Sequence, residues 1–129
     1  MNGQNLDLLC ARYGFQIAEE VHRKLEKQAE NHITKSLGVL QENGVYAFFL
    51  FQASRNREKE KQAAGELKKK AVELLGSIPL EPFPAQKDPL EAIRGKDGLA
   101  TRLDDLLLAK RLLEQALIYA RYHAKALED

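Results

Sequence analysis

Ser36-Leu37-Gly38-Val39-Leu40-Gln41-Glu42-Asn43-Gly44-Val45-Tyr46-Ala47-Phe48-Phe49-Leu50-Phe51 admits two readings, and the choice between them decides the fold. Asn-Gly between apolar runs signals a hairpin turn, and valine, tyrosine and phenylalanine suit strands. Against that, Ile33, Leu37, Leu40, Gly44, Ala47 or Phe48, and Phe51 recur every three or four residues straight through Asn43-Gly44. That is the period of a helix, so one kinked helix over residues 34–54 is the preferred reading. Gly44 then sits on the packing stripe, where a close approach by the first or last helix is expected. From Val45 to Phe51 the apolar residues go all the way round the helix. A surface helix of a monomer has no use for such a belt. Either it is the central helix of a bundle, or its far face meets another subunit. Tyr46, Phe49 and Leu50 are the candidate interface residues, at least one of them exposed in the single chain.

The flanking sequence is helical too. Leu6, Cys10, Tyr13, Ile17, Val21 and Leu25 form one stripe of a first helix. Asn5 is its N-cap, Asp7 suits its first turn, and fraying is expected near Asn31. Gly14 interrupts this helix at a cost of about 1 kcal/mol against alanine. A third helix over residues 57–75 carries Ala64, Leu67, Ala71, Leu74 and Leu75, with Lys69 opposite, Lys68 and Lys70 on the flanks, and Gly76 as its stop. All four prolines fall within residues 78–89, an irregular connection. Asp88-Pro89-Leu90-Glu91 opens a short helix to Gly95. After a turn at Lys96-Asp97-Gly98, Thr101 is expected to cap a last helix reaching Leu127, with Leu103, Leu106, Leu113, Leu117, Ala120, Ala124 and Leu127 on its stripe. The expected fold is all-α: one domain over residues 1–129, a compact bundle of five to six helices with an irregular proline-containing connection before the last long one.

Composition narrows the function. Hydrophobic residues make up 44% and charged residues 30% of 129, and the net charge of +1 gives no overall field to draw nucleic acid or membrane. Any electrostatic partner must meet a local patch. One cysteine, Cys10, allows no internal disulfide and fits a reducing compartment. No apolar run approaches a membrane span, and residues 1–5 do not read as a signal peptide. A cytoplasmic location is expected.

Chemistry is sparse. His22, His32 and His123 have no second ligand at metal-site spacing and read as surface or cap residues. Cys10 lies on an apolar stripe and reads as core. No phosphate-cradling loop or nucleophile motif is present. Asp104 and Asp105 are adjacent on a helix and point about 100° apart, so they cannot share one substrate proton. An enzyme is therefore the weakest reading, and neither cofactor nor metal is expected. Two basic clusters remain. Arg55, Arg57, Lys59, Lys61, Lys68, Lys69 and Lys70 face four glutamates between residues 55 and 73. Lys110, Arg111, Arg121 and Lys125 are interleaved with Tyr119 and Tyr122 on the last helix. Each cluster reads either as a solvated helix face or as an RNA contact, with charge for the backbone and rings for stacking.

The order of these features resembles a known family. Ser36-Leu37-Gly38-Val39-Leu40-Gln41-Glu42-Asn43-Gly44-Val45 running into Phe48-Phe49-Leu50-Phe51, with the tail Tyr119-Ala120-Arg121-Tyr122-His123-Ala124-Lys125-Ala126-Leu127, is similar to the small subunit of the type III-B CRISPR RNA-silencing (Cmr) complex. The likeness in length and helix order covers nearly the whole chain. Three positions depart from the family pattern: Gly38 replaces a proline, Val45 a leucine, and Arg121 alone keeps the basic pair. A resemblance to the type III-A small subunit comes second. The resemblance implies a non-catalytic subunit that stacks with copies of itself and with other effector subunits. It implies contact with the guide–target RNA duplex, through Arg121 and Lys125, with Lys110, Arg111 and Lys68 to Lys70 extending the strip if the third and last helices lie side by side. The reading from another class is a helical protein–protein adaptor whose basic residues serve solubility.

Overall fold

Cys10, Gly14 and Ala18 recur every fourth residue on α1 (Leu6–Leu25), and all three are buried. Ala116, Ala120 and Ala124 do the same on α6 (Leu103–Leu127). Rows at i±4 are the ridges that helices pack by, and small residues let two such ridges come close. A Cβ added at Gly14 would lie 2.7 Å from Tyr119 Cβ and 2.8 Å from the Ala116 carbonyl oxygen. Gly14 is thus a point of close approach between two helices, rather than a blemish on a stripe. The contacts advance together along both helices. Cys10 Sγ donates to the Leu112 carbonyl at 3.4 Å, Phe15 meets the His123 ring edge at 5.4 Å, and His22 pairs with Glu128. The first and last helices therefore run parallel.

The computed structural model describes residues 5–79, 83 and 88–128; among them are six α-helices and no strand. The Asn5 side chain accepts from the Leu8 amide at 3.0 Å and starts α1. α1 ends at Leu25, earlier than expected, because Glu26 takes a positive φ of 51° and turns the chain. After a 3₁₀ turn, α2 (Ala29–Asn43) begins earlier than its apolar pattern suggested.

The decisive stretch is helical on both sides of Asn43-Gly44, as expected, but it is two helices. Gly44 has φ +94°, which ends α2 and starts α3 (Val45–Ala53). Its amide donates to the Leu40 carbonyl at 2.9 Å, and its carbonyl accepts from Phe48 at 3.0 Å. A Cβ on Gly44 would meet nothing within 4 Å. The close helix approach expected there is absent, and glycine is required for its backbone conformation alone.

α4 (Glu58–Ser77) buries Ala64, Leu67, Ala71, Leu74 and Leu75 as expected. Gly76 lies inside its last turn and does not stop it. Pro79 does, since the residue before a proline is driven out of the α region, and Ile78 is extended. The irregular course expected over residues 78–89 falls largely on residues 80–82 and 84–87, outside those described. Within it Phe83 is buried and stacks on Phe49 at 6.3 Å. The Asp88 side chain caps α5 (Pro89–Arg94) through the Leu90 amide, as expected. Thr101 does not cap α6. Its hydroxyl donates to the Gly98 carbonyl in a 3₁₀ turn, and Arg102 precedes the helix, held to Asp105 at 2.6 Å. On α6, Leu103 and Leu127 fall off the expected stripe into solvent, while Ala109, Leu112 and Ala116 join the core.

α1 packs on α6 along one side and on α4 along another; α2 covers α6, and α3 lies against α2, α4 and α5. α4 and α6 touch only at the margin, because α1 lies between them.

The glycines give a paired expectation. Gly14→Ala forces backbone apart and should cost about 1–3 kcal/mol. Gly65→Ala, at an exposed position in α4 with nothing within 4 Å of the added Cβ, should stabilise by about 0.5–1 kcal/mol. Urea denaturation of the two variants should therefore move in opposite directions, and a neutral Gly14→Ala would contradict the close approach.

Candidate nucleic-acid interface

The inner face of α6 is spent on α1 and α2, which leaves its outer face to carry the charge. At 100° per residue Lys110, Arg121 and Lys125 fall within roughly 60° of arc, and Arg111 about 40° further. The four span about 22 Å along the axis at ~1.5 Å per residue. Arg111 and Lys125 are exposed, Lys110 and Arg121 half-buried. None of the four pairs with a carboxylate among the described residues. Glu114 is the acidic residue within that arc. The Arg121 guanidinium lies 5.4 Å from the centre of the Tyr122 ring, which is 62% exposed and free to stack. Tyr119 has a different duty. Its hydroxyl donates to Asp7, a bond that pushes its phenol pKa up and ties α6 to the start of α1.

The lysines of α4 do not extend this strip. Lys68 and Lys69 are exposed, but α1 separates their helix from α6. Lys70 turns inward, donating to Gln16 Oε1 at 3.0 Å and lying 3.6 Å from Glu73.

The interface candidates of α3 divide three ways. Phe49 is 1% exposed, edge-on to Phe48 at 5.0 Å and stacked on Phe83, so it is core and unavailable to a partner. Tyr46 is half-buried, its hydroxyl accepting from Arg94 at 3.2 Å. Leu50 is 49% exposed, as one residue of the belt was expected to be.

His32 overturns its expected place at the surface. It is 4% exposed and belongs to a buried chain of hydrogen bonds with Ser36 and Gln52. The Ser36 hydroxyl donates to the His32 carbonyl at 2.9 Å, so its oxygen must accept from Gln52 Nε2 at 2.8 Å. Gln52 Oε1 then faces His32 Nε2 at 3.0 Å, and that nitrogen must carry the proton. The chain bolts α2 to α3 across the Gly44 break. Sequence reasoning missed it, although His32, Ser36 and Gln52 are polar residues at buried-stripe spacing beside Ile33, Leu37 and Phe48. Cys10 is core as expected, and burial, aided by Asp7, pushes its thiol up to about 11. Among the described residues no three metal-ligating side chains converge, and no helix is long and apolar enough to cross a membrane.

No protein family, curated protein or solved structure matches the chain.

Burial lowers the His32 pKa below its ordinary 6.5, outweighing the Gln52 hydrogen bond and Glu60, with Arg55 and Lys35 adding to the lowering. The unfolded chain therefore takes up this proton first. The stability that His32 contributes is complete above about pH 6.5 and is lost as the pH falls below it towards the lowered value. Denaturant midpoints measured from neutral pH to pH 5 should fall more steeply for the native protein than for His32→Gln. Parallel curves would contradict the buried neutral imidazole.

Proposed function

We propose that this protein is a non-catalytic small subunit of a type III-B CRISPR ribonucleoprotein. In this reading it stacks in the complex and lays the outer face of α6 against the backbone of the guide–target RNA duplex. The observation that carries the reading is the strip of four cations on α6, without carboxylate partners among the described residues and beside the exposed Tyr122 ring. A chain whose net charge is only +1 has this positive strip turned away from the core by the alanine ridge, whose centre lies about 130° round the helix from it. Phosphate contacts of this kind position a strand without reading it, and base pairing with the guide supplies the sequence. Leu50, with Tyr46 beside it, offers the apolar contact that stacking between subunits needs.

The adaptor reading draws on a different observation. Leu103 and Leu107 are 66% and 56% exposed at the start of α6, an apolar spot suited to a protein partner.

Reconstituted complex carrying Arg121→Glu with Lys125→Glu separates the two. Under the RNA reading target binding weakens alike for all sequences, and the salt slope drops by ~0.7–0.9 per lost contact. Normal assembly with unchanged affinity and slope would favour the adaptor.

A further inference from the structure

A cavity of about 270 Å³ opens where the start of α2 meets the turn between α3 and α4, and none of its lining comes from α6. Among the described residues, Lys35, Arg55, Arg57 and Lys59 line it against one carboxylate, Glu60, with His32 in its wall. Four cations and one anion give a local +3 in a chain whose total is +1. Such crowding opposes folding unless an anion relieves it.

Arg55 is already fixed in place. Its guanidinium lies over the Phe51 ring at 4.0 Å, Nε donates to the Phe51 carbonyl at 3.2 Å, and Nη2 donates to Ser54 Oγ at 3.1 Å. Three of its five N–H groups remain, with Glu60 at 4.0 Å, too distant for a hydrogen bond. Arg57, Lys59 and Lys35 have no carboxylate within ion-pairing distance among the described residues. In the wall, the Ser36–Gln52 chain commits His32 Nε2 as a donor, so the neutral ring presents Nδ1 as an acceptor. Nδ1 has no protein partner among the described residues, yet it is not sealed from solvent. Protonated, it becomes one more donor to an anion.

We propose that this cavity binds a phosphate monoester, on a carrier no larger than a nucleotide. A fixed guanidinium with free N–H groups, beside a second guanidinium and the Lys35 and Lys59 ammonium groups, suits a compact dianion with several acceptor oxygens. The volume falls just under the roughly 300–1,000 Å³ of small-molecule sites, which admits a phosphate and its carrier but not a folded polymer. The monoester can belong to a free nucleotide or to the 5′ end of a strand. The proposal does not rest on the RNA reading of α6.

The test titrates the full chain with adenosine 5′-monophosphate and, separately, with adenosine, following the His32 ring by NMR. Saturable binding of the monophosphate alone, with the His32 resonances shifting, is the expected result. Arg57→Gln with Lys59→Gln, both exposed and so compatible with the native fold, should weaken binding at least tenfold. Lys68→Gln with Lys69→Gln, exposed on α4 and outside the cavity, should leave it unchanged. A 5′-phosphorylated trinucleotide binding more tightly than both the free nucleotide and its 5′-hydroxyl counterpart would assign the strand end; equal or weaker binding would assign the free nucleotide. No saturation at millimolar monophosphate, equal binding of adenosine, or full affinity in the Arg57/Lys59 variant would overturn the proposal.

Discussion

The rest of the molecule is arranged around the contact at Gly14. Two helices at opposite ends of the chain lie parallel, and their facing ridges are built from Cys10, Gly14 and Ala18 on one side and Ala116, Ala120 and Ala124 on the other. Parallel neighbours cannot be joined by a tight turn, so α2 to α5 must form the return path and wrap the pair. α4 takes one side of α1 and α2 takes α6, which leaves α3 to close the gap beside α4 and α5. Small residues at the contact also fix which face of α6 is left over. With the alanines turned inward, Arg111 and Lys125 face solvent, and Lys110 and Arg121 lie half-buried on the flank beside them.

Helix α3 solves a second problem. Its apolar residues surround it, and the fold covers most of them: Val45, Phe48 and Phe49 are buried, and Phe83 from the proline-containing connection stacks on Phe49. Leu50 is left over. The Gly44 break removes backbone continuity between α2 and α3, and the His32–Gln52–Ser36 chain restores a fixed relation between them. A buried hydrogen-bonded chain tolerates few alternative arrangements, because each unpaired member would cost about 1–3 kcal/mol. The same chain orients the His32 ring in the wall of the basic cavity.

The helical class was legible because period 3.6 persists on both sides of Asn43-Gly44 and because Asn5, Asp88 and Pro89 are strong local punctuation. What the sequence could not show was pairing. Gly14 and Gly44 look alike in one dimension, and their roles exchanged in three: Gly14 answers to a neighbouring helix, Gly44 to its own φ. Thr101 and Gly76 carry the right chemistry for helix ends, but a 3₁₀ turn and the following Pro79 took precedence. The outer face of α6 could be read from spacing, since it depends on one helix only. Its continuation onto Lys68 to Lys70 could not, because that depends on α1 lying between α4 and α6. His32 was misplaced for a similar reason: Ser36 and Gln52 satisfy it, and only the fold brings Gln52 there.

The central proposal is that the face of α6 which packing leaves outward contacts RNA. Ultraviolet cross-linking of the purified, RNA-loaded complex, followed by peptide mass spectrometry, tests it most directly, since Tyr122 is an exposed ring among the cations of that face. The account predicts an RNA adduct on the peptide Tyr122-His123-Ala124-Lys125. Adducts confined to peptides of other helices, or none in a complex that retains its RNA, would contradict it.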